Sequence, residues 1–381
     1  MGEKIVIVGA GIIGLYTGYL LCQQGRGQDL VFIAEYLPGD QSINYTSPWA
    51  GGNFSCISSD SPKALRHDKL SFINLRKIHD LYGPQAGLAM LRTEEYWETQ
   101  LPSDAKIESL KSYIPDLRIV PKNELPGKAL FGVTYTTFNF NSPMFLKFLA
   151  KYVSQQGATF IRRKLDHIGQ AFEYATPSSP LSPTVIFNCT GIGAQTLGGV
   201  ADTDVYPTRG QVVVIRAPHI NENRAIWSPY SATYIIPRPY SFVDTQAEGS
   251  VGSTVSGSTG KTGNVGHIVL GGFLQQGNYS GDTYGHETFN ILDRATALYP
   301  ELLRDPITGK NKTIHELEIV REAAGLRPSR KGGVRIETER LDEDKYIVHN
   351  YGAGGTGYQS GLGMAIESVG LFNEIGSKGK L

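Results

Sequence analysis

The sequence predicts an α/β fold: one domain on a mostly parallel sheet, with a second, α+β domain on a mixed or antiparallel sheet inserted into it. Three observations carry this. The first thirty-five residues alternate strand, glycine turn, helix and strand. The closing third repeats strand, glycine-dense loop and long helix, so both chain ends belong to one domain. Between them lie strand-like runs joined by turns, with few helical patterns.

The opening stretch, KIVIVGAGIIGLYTGYLLCQQG, begins with a fully apolar run that ends at Gly9. Gly11 and Gly14 complete G-x-G-x-x-G, and helical periodicity follows through Leu15, Tyr19, Leu20 and Cys22. A second apolar run, LVFIAE, closes on Glu35. This is the Rossmann-type dinucleotide-binding unit. Gly9 permits the tight turn, Gly11 lets backbone amides approach a pyrophosphate, and Gly14 lets helix and strand pack closely. The helix N-terminus favours the phosphate charge, and Glu35 can accept hydrogen bonds from a ribose. The unit by itself leaves FAD and NAD both open.

PGDQSINYTSPWAGGNFS follows and is rich in turn residues. Helical patterns come next in KLSFINLRKIHDLYG and SPMFLKFLAKYVSQQG, the latter with a serine at its start and a glycine at its end as caps. TVIFNCTGIGA, QVVVIRAP, ATYIIPRP and HIVLGGFLQQG read as strands. Residues 240–266 are Gly-, Ser- and Thr-rich and cannot bury a core, which predicts an exposed, flexible loop. IHELEIVREAAGLRP reads as a strand, and a hairpin is expected around Arg335 to Leu341 and Tyr346 to His349. Residues 1–55, 145–210 and 315–381 are thus assigned to the discontinuous cofactor domain. Residues 56–144 and 211–314 form the substrate domain.

REAAGLRPSRKGG places Arg327 between a small apolar stretch and a proline, where the chain leaves a buried strand. A guanidinium cannot lose its proton, and burying it unpaired is costly, so an anion should meet it. That anion is either a nearby glutamate such as Glu322 or a ligand.

The 381 residues carry 36 basic and 36 acidic side chains, and a net charge of zero argues against a nucleic-acid partner. No apolar run reaches the length of a membrane-spanning helix, and the N-terminus lacks a secretory pattern. Three cysteines without CxxC spacing indicate neither a disulfide framework nor a metal site. The expectation is a soluble intracellular protein with no metal and no membrane partner.

In VGAGIIGLYTGYLL, AEYLPGDQSINYTSPWAGGNFS, FNCTGIGAQTLGGV, YPTRGQVVVIRAP, ATYIIPRP, LGGFLQQGNYSG, REAAGLRPSR and HNYGAGGTGYQSGLGMA the chain resembles the D-amino-acid oxidase family. The peroxisomal yeast members are the most similar. The segments keep the family's order across nearly the whole chain. The resemblance implies FAD as the cofactor and oxidative deamination of D-amino acids as the activity, with molecular oxygen as acceptor. Cofactor contacts are then expected from Gly9, Gly11, Ile12, Ile13, Gly14, Glu35 and Tyr36. Thr46, Ser47, Ala50, Gly51, Gly52, Leu165, Cys189, Thr190 and Gly191 extend the set. Arg327, Gly352, Gly354, Gly355, Thr356, Gly357, Tyr358 and Gln359 complete it.

For the substrate, the resemblance implies that Arg327 and Tyr234 hold the carboxylate, that Tyr230 belongs to a lid, and that the Gly355 carbonyl accepts from the amine. Gln359 matches a glutamine near the substrate in some yeast members. Leu274 stands where certain yeast enzymes carry an aromatic lid residue. His349 precedes the glycine loop and is read as a structural hydrogen bonder rather than a base. Neutral D-amino acids such as D-alanine are the expected substrates. The alternative is a D-aspartate oxidase in which Arg224 takes the distal carboxylate; Arg224 is otherwise a loop arginine beside Glu222. A flavin-binding scaffold without turnover is the remote alternative. Gly379-Lys380-Leu381 resembles a peroxisomal address, which implies an import receptor as partner. Family members are often homodimers.

Overall fold

The structure is a computed structural model that describes residues 3–180, 182–228, 231–240 and 266–378. Tyr230, the Gly/Ser-rich loop between its ends Tyr240 and Gly266, and Gly379-Lys380-Leu381 lie outside the described residues. Among those described, the strands form two mixed sheets, one of six strands and one of nine, so the fold class is α/β as expected.

In the six-stranded sheet, Ile5–Val8 runs parallel between Leu30–Ala34 and Thr184–Asn188. Thr159–Arg162 extends it beyond Leu30–Ala34, and Lys345–Tyr351 beyond Thr184–Asn188. Arg335–Arg340 closes that edge as an antiparallel hairpin partner. The first two strands are buried along their whole length, which is why they read as unbroken apolar runs instead of alternating ones. Helix α1 (Ile12–Gln23) is buried on nearly every side, packed against both the sheet and later helices. Because Ile5–Val8 has neighbours connected in opposite directions, a crevice opens beyond its carboxyl end, where this architecture binds ligands.

Three further helices pin the segments around that crevice. Helix α2 (Pro62–Ala86) starts from Ser61, whose hydroxyl accepts from the Ala64 amide. Helix α3 (Asp104–Lys111) is capped in the same way by Ser103. Helix α4 (Ser142–Gln155) is capped by Asn141, whose carbonyl oxygen accepts from the Met144 amide, and not by the serine the sequence suggested. Ser142 instead donates to the Ala50 carbonyl at 2.9 Å, fastening the helix to the turn-rich segment.

The nine-stranded sheet runs Gln275–Gln276, Val205–Arg216, His267–Gly271, Ala232–Pro237, Asn223–Trp227, Leu88–Trp97, Phe131–Phe140 and Arg118–Ile119, with Ile319–Arg330 on the other side of Val205–Arg216. Helix α5 (Gly285–Leu298) packs on one face, against Ile235, Ile268 and Leu270. The register puts Glu95, Ala225 and Tyr234 on the opposite face, together with Thr93, Trp97, Trp227 and Ala232. That second face meets the crevice.

The expected division at 210–211 falls inside Val205–Arg216, and Ile319–Arg330, expected with the cofactor domain, pairs with that strand from Val205 to Ile215. A continuous ladder leaves no linker there, and composition cannot show which sheet a strand joins. The last helix, α6 (Gly357–Lys378), returns the chain to α1 and α2.

Candidate active site

A cleft of about 1230 Å³ lies between the crevice and the second sheet. Its floor is the glycine turn. Gly9 has φ +106°, and a Cβ there would stand 2.4 Å from the Cys189 carbonyl oxygen. A Cβ on Gly14 would stand 2.0 Å from the Gly9 carbonyl oxygen, so strand and helix approach as closely as the fingerprint requires. Gly11 caps α1 without a side-chain bond, while the Ile12 amide donates to Ser47 Oγ at 3.0 Å. Ile13 begins the buried face of α1 beside it.

The turn-rich segment folds over this floor. Tyr45 donates to the Ala10 carbonyl at 2.8 Å, and its ring stacks on Tyr36. Thr46 donates to the Leu326 carbonyl. Gly51 faces Ile236 and Tyr234, and Gly52 has φ +78° where a Cβ would strike Ser142 and the Phe140 carbonyl. Tyr358 donates to the Ser47 carbonyl at 2.9 Å, and Tyr16 donates to the Tyr358 carbonyl at 3.0 Å. The two ends of the chain are thereby tied into one cradle.

Glu35 sits partly exposed at the end of its strand, with Lys164 Nζ at 3.8 Å, and Leu165 lines the cleft nearby. Burial pushes the Cys189 thiol up to about 12, so it is inert, and Thr17 Oγ1 lies 3.9 Å from its sulfur. Thr190 donates to Asn188 Oδ1 at 2.7 Å, and Gly191, Gly352 and Gly354 all take positive φ. Thr356 donates to the Ala353 carbonyl at 2.9 Å, and Gly357 opens α6. The glycine contacts and the uncapped helix start leave backbone, not side chains, facing the cleft. That fits a dinucleotide cofactor, whose pyrophosphate needs such an approach.

Arg327 is half-buried on Ile319–Arg330, and its guanidinium faces the cleft. Its Nη1 donates to the Phe273 carbonyl at 3.0 Å and the Thr208 carbonyl at 3.4 Å, and its Nη2 to Tyr234 Oη at 3.4 Å. Among the described residues no carboxylate lies within 4.0 Å of it. Glu322 accepts from Thr288 at 2.6 Å instead, which removes it as the counter-ion. The remaining N–H groups are available for a bidentate carboxylate.

Tyr234 crosses Gly271, where a Cβ would come 2.0 Å from its ring. Gly355 lies with its Cα against the Arg327 side chain, and a Cβ there would stand 3.5 Å from the arginine Cδ. Gln359, in contrast, turns inward. It donates to Ser58 Oγ at 2.7 Å and Asp68 Oδ2 at 2.8 Å, and accepts from the Ser55 amide at 3.2 Å. Its amide is fully occupied in holding the substrate-side segment. His349 is buried between Asn188 and Glu339, with its pKa lowered by burial and then by the Arg335 charge.

Arg224 pairs across the sheet with Ile235, so its side chain leaves the face opposite Tyr234. There it meets Glu222 at 3.0 Å and Glu94 at 3.5 Å, and covers the Tyr299 ring at 4.0 Å. Leu274 is half exposed at the cleft mouth.

Several residues that the sequence did not single out support the site. Arg209, with no exposed surface, pairs with Glu287 at 2.8 Å and reaches Gln275 and the Ser280 and Asp282 carbonyls. It thereby fixes the segment after Leu274. Arg294 on α5 holds Thr233 Oγ1 at 2.6 Å and the Gly272 carbonyl at 3.2 Å, on either side of Tyr234's gap. Lys106 and Glu95 are buried polar groups beside the cleft. No local pattern distinguishes them, because each acquires its role through tertiary register.

A family model described as FAD dependent oxidoreductase matches residues 4–369. Among curated relatives, a D-amino-acid oxidase of Schizosaccharomyces pombe is 40% identical over 96% of this chain and 95% of its own length. One of Fusarium vanettenii is 30% identical over 100% and 99%, and a D-aspartate oxidase of Cryptococcus neoformans 29% over 97% and 96%. Among solved structures, glycine oxidase from Geobacillus kaustophilus superposes with a TM-score of 0.65 at 17% identity, covering 98% of this chain and 95% of that one. That likeness shows the shared fold.

Proposed function

The chain belongs to the DAO family of FAD-dependent oxidoreductases, and from that premise we propose that it deaminates neutral D-amino acids such as D-alanine to 2-oxo acids, ammonia and hydrogen peroxide. It is an oxidoreductase, and its cofactor is FAD. The pyrophosphate would lie on the Gly9–Gly14 turn, the ribose toward Glu35, and the ring system between the Ser47–Gly52 segment and the Gly354–Gln359 loop. FAD supplies the acceptance of hydride from the substrate Cα.

The chain's own residues supply grip and orientation. Arg327 takes the substrate carboxylate bidentately, and Tyr234 shares one of its oxygens. The Gly355 carbonyl accepts from the amine. With two groups fixed, only one enantiomer presents its Cα hydrogen to the cofactor side; the mirror image presents its side chain there. No general base is needed when the amine arrives neutral. His349, held between Asn188 and Glu339, has no free acceptor for a substrate proton.

The single observation that carries this reading is a cleft-facing arginine with a phenol beside it and, among the described residues, no carboxylate partner. Preference for neutral side chains is supported by Arg224, whose charge is already met by Glu222 and Glu94 on the far face of the sheet. We further propose peroxisomal residence and an import receptor read through Gly379-Lys380-Leu381, with a homodimer as the assembly.

The test is peroxide release by the purified holoenzyme with D-alanine, D-aspartate and L-alanine. D-alanine turns over fastest and L-alanine not at all. Faster turnover of D-aspartate overturns the neutral preference, and silence with both D-substrates overturns the assignment.

A further inference from the structure

The face of the second sheet that meets the cleft carries one carboxylate among the described residues, and it is wholly buried. Glu95 has 0% exposure and stands between Thr93 and Trp97, both of which line the cleft. Its neighbour across the ladder, Ala225, also lines the cleft, as does Trp227. Glu95 therefore lies directly behind the wall along which a substrate side chain extends from Tyr234.

Its surroundings define its charge. The Cys56 amide donates to both carboxylate oxygens, at 3.2 and 3.1 Å. Trp227 Nε1 donates to Oε2 at 3.2 Å, and the Tyr135 hydroxyl donates to Oε1. The Cys56 thiol in turn donates to Tyr135 Oη at 3.4 Å, so the tyrosine's proton is directed at Glu95. Burial raises the carboxyl's pKa on balance, and the Tyr135, Cys56 and Trp227 donors act against that rise. The Cys56 and Trp227 N–H groups can only donate, and the Cys56 thiol's bond to Tyr135 Oη turns the phenol's own proton toward Glu95. Three protons are thus directed at the carboxylate, and the arrangement favours the ionised form.

The nearby charges do not cancel it. Lys106 is the cation whose field reaches Glu95, but it donates to the Ser58 carbonyl at 2.6 Å and lies 3.4 Å from Asp60. Asp68, buried under Gln359 and Ser360, draws on the same lysine. Three carboxyl groups, Glu95, Asp60 and Asp68, thus draw on one ammonium at this end of the cleft.

We propose that Glu95 is a specificity-determining residue, an ionised carboxylate behind the side-chain wall that repels a second carboxylate on the substrate and holds the Trp227 indole that shapes the wall. The inference rests on the oxidase reading and gives it a physical cause: Arg327 attracts one carboxylate, and Glu95 rejects another. In a low-dielectric wall such like-charge repulsion is strong, because water does not screen it.

The experiment compares wild-type holoenzyme with Glu95→Gln, which preserves shape and removes the charge. The ratio of kcat/KM for D-aspartate to that for D-alanine is expected to rise about tenfold in the variant. An unchanged ratio, with D-alanine still oxidised, overturns the proposal. A second arm needs no variant and no turnover: butanoate and succinate, equal in length, are titrated into the wild-type holoenzyme and followed by the absorbance of its bound flavin. Succinate is expected to bind at least about tenfold more weakly, and equal affinity overturns the proposal. Absent D-alanine turnover defeats the oxidase reading alone, since the inhibitor comparison does not depend on it.

Discussion

Arg327 Nη2 and Tyr234 Oη stand 3.4 Å apart although their strands are separated by two others. The intervening strands give way at glycines. A Cβ on Gly210 would lie 2.2 Å from Arg327 Nη1, and one on Gly271 would lie 2.0 Å from the Tyr234 ring. Each long side chain crosses a gap that any other residue would fill, and the two meet over the cleft.

Arg327→Ala removes the charge that receives the substrate. Losing one partner of such a pair costs about 3–5 kcal/mol, so kcat/KM for D-alanine falls by about a thousandfold. Steady-state kinetics should show the loss chiefly in KM, with flavin content unchanged by absorbance. Near-normal activity would return Arg327 to a structural role.

Gly210→Ala tests the gap rather than the arginine. The added methyl must push the guanidinium away from the Thr208 and Phe273 carbonyls that hold it. D-alanine KM rises by about tenfold or more while the protein keeps its flavin. A normal KM would mean that Arg327 can bind substrate from another position.

Gly14→Ala attacks the cradle. Its Cβ would stand 2.0 Å from a backbone oxygen that cannot rotate away. The purified variant is expected to be largely colourless, and added FAD restores little activity. A yellow, fully active protein would show that the turn has room to spare.

His349 links the fold to pH. Burial, aided by Arg335, holds its pKa below the ordinary value, so the unfolded chain takes up a proton more readily than the folded one. Stability is full above about pH 6.5 and declines as pH falls below it, by at most about 1.4 kcal/mol per pH unit from one group. Urea denaturation at pH 7.5 and pH 5.5 should show a smaller loss for His349→Gln than for wild type. An equal loss would assign the acid sensitivity elsewhere.

Much of this was legible in the sequence where the signal is local. The Gly9–Gly14 fingerprint, the apolar strands around it and the Arg327–Pro328 step are contiguous, and backbone geometry alone explains them. Residues whose meaning depends on register were not legible. Arg224 is placed on the far face only by its pairing with Ile235, and Gln359 sits beside the glycine loop in sequence while its amide turns to Asp68 and Ser58. Glu95 lies in Leu88–Trp97, a strand whose sequence does not alternate cleanly and which the sequence did not single out, so its place on the cleft face comes only from register.

Tyr16 and Tyr358, 342 positions apart, share a hydrogen bond in the wall of the cradle. During synthesis, the glycine turn emerges from the ribosome near the start and stays incomplete until almost the last helix has followed. A complete cradle for FAD therefore requires the chain through Tyr358. A nascent chain must meanwhile shelter the apolar surfaces of Ile5–Val8 and α1 without the helix that finally covers them.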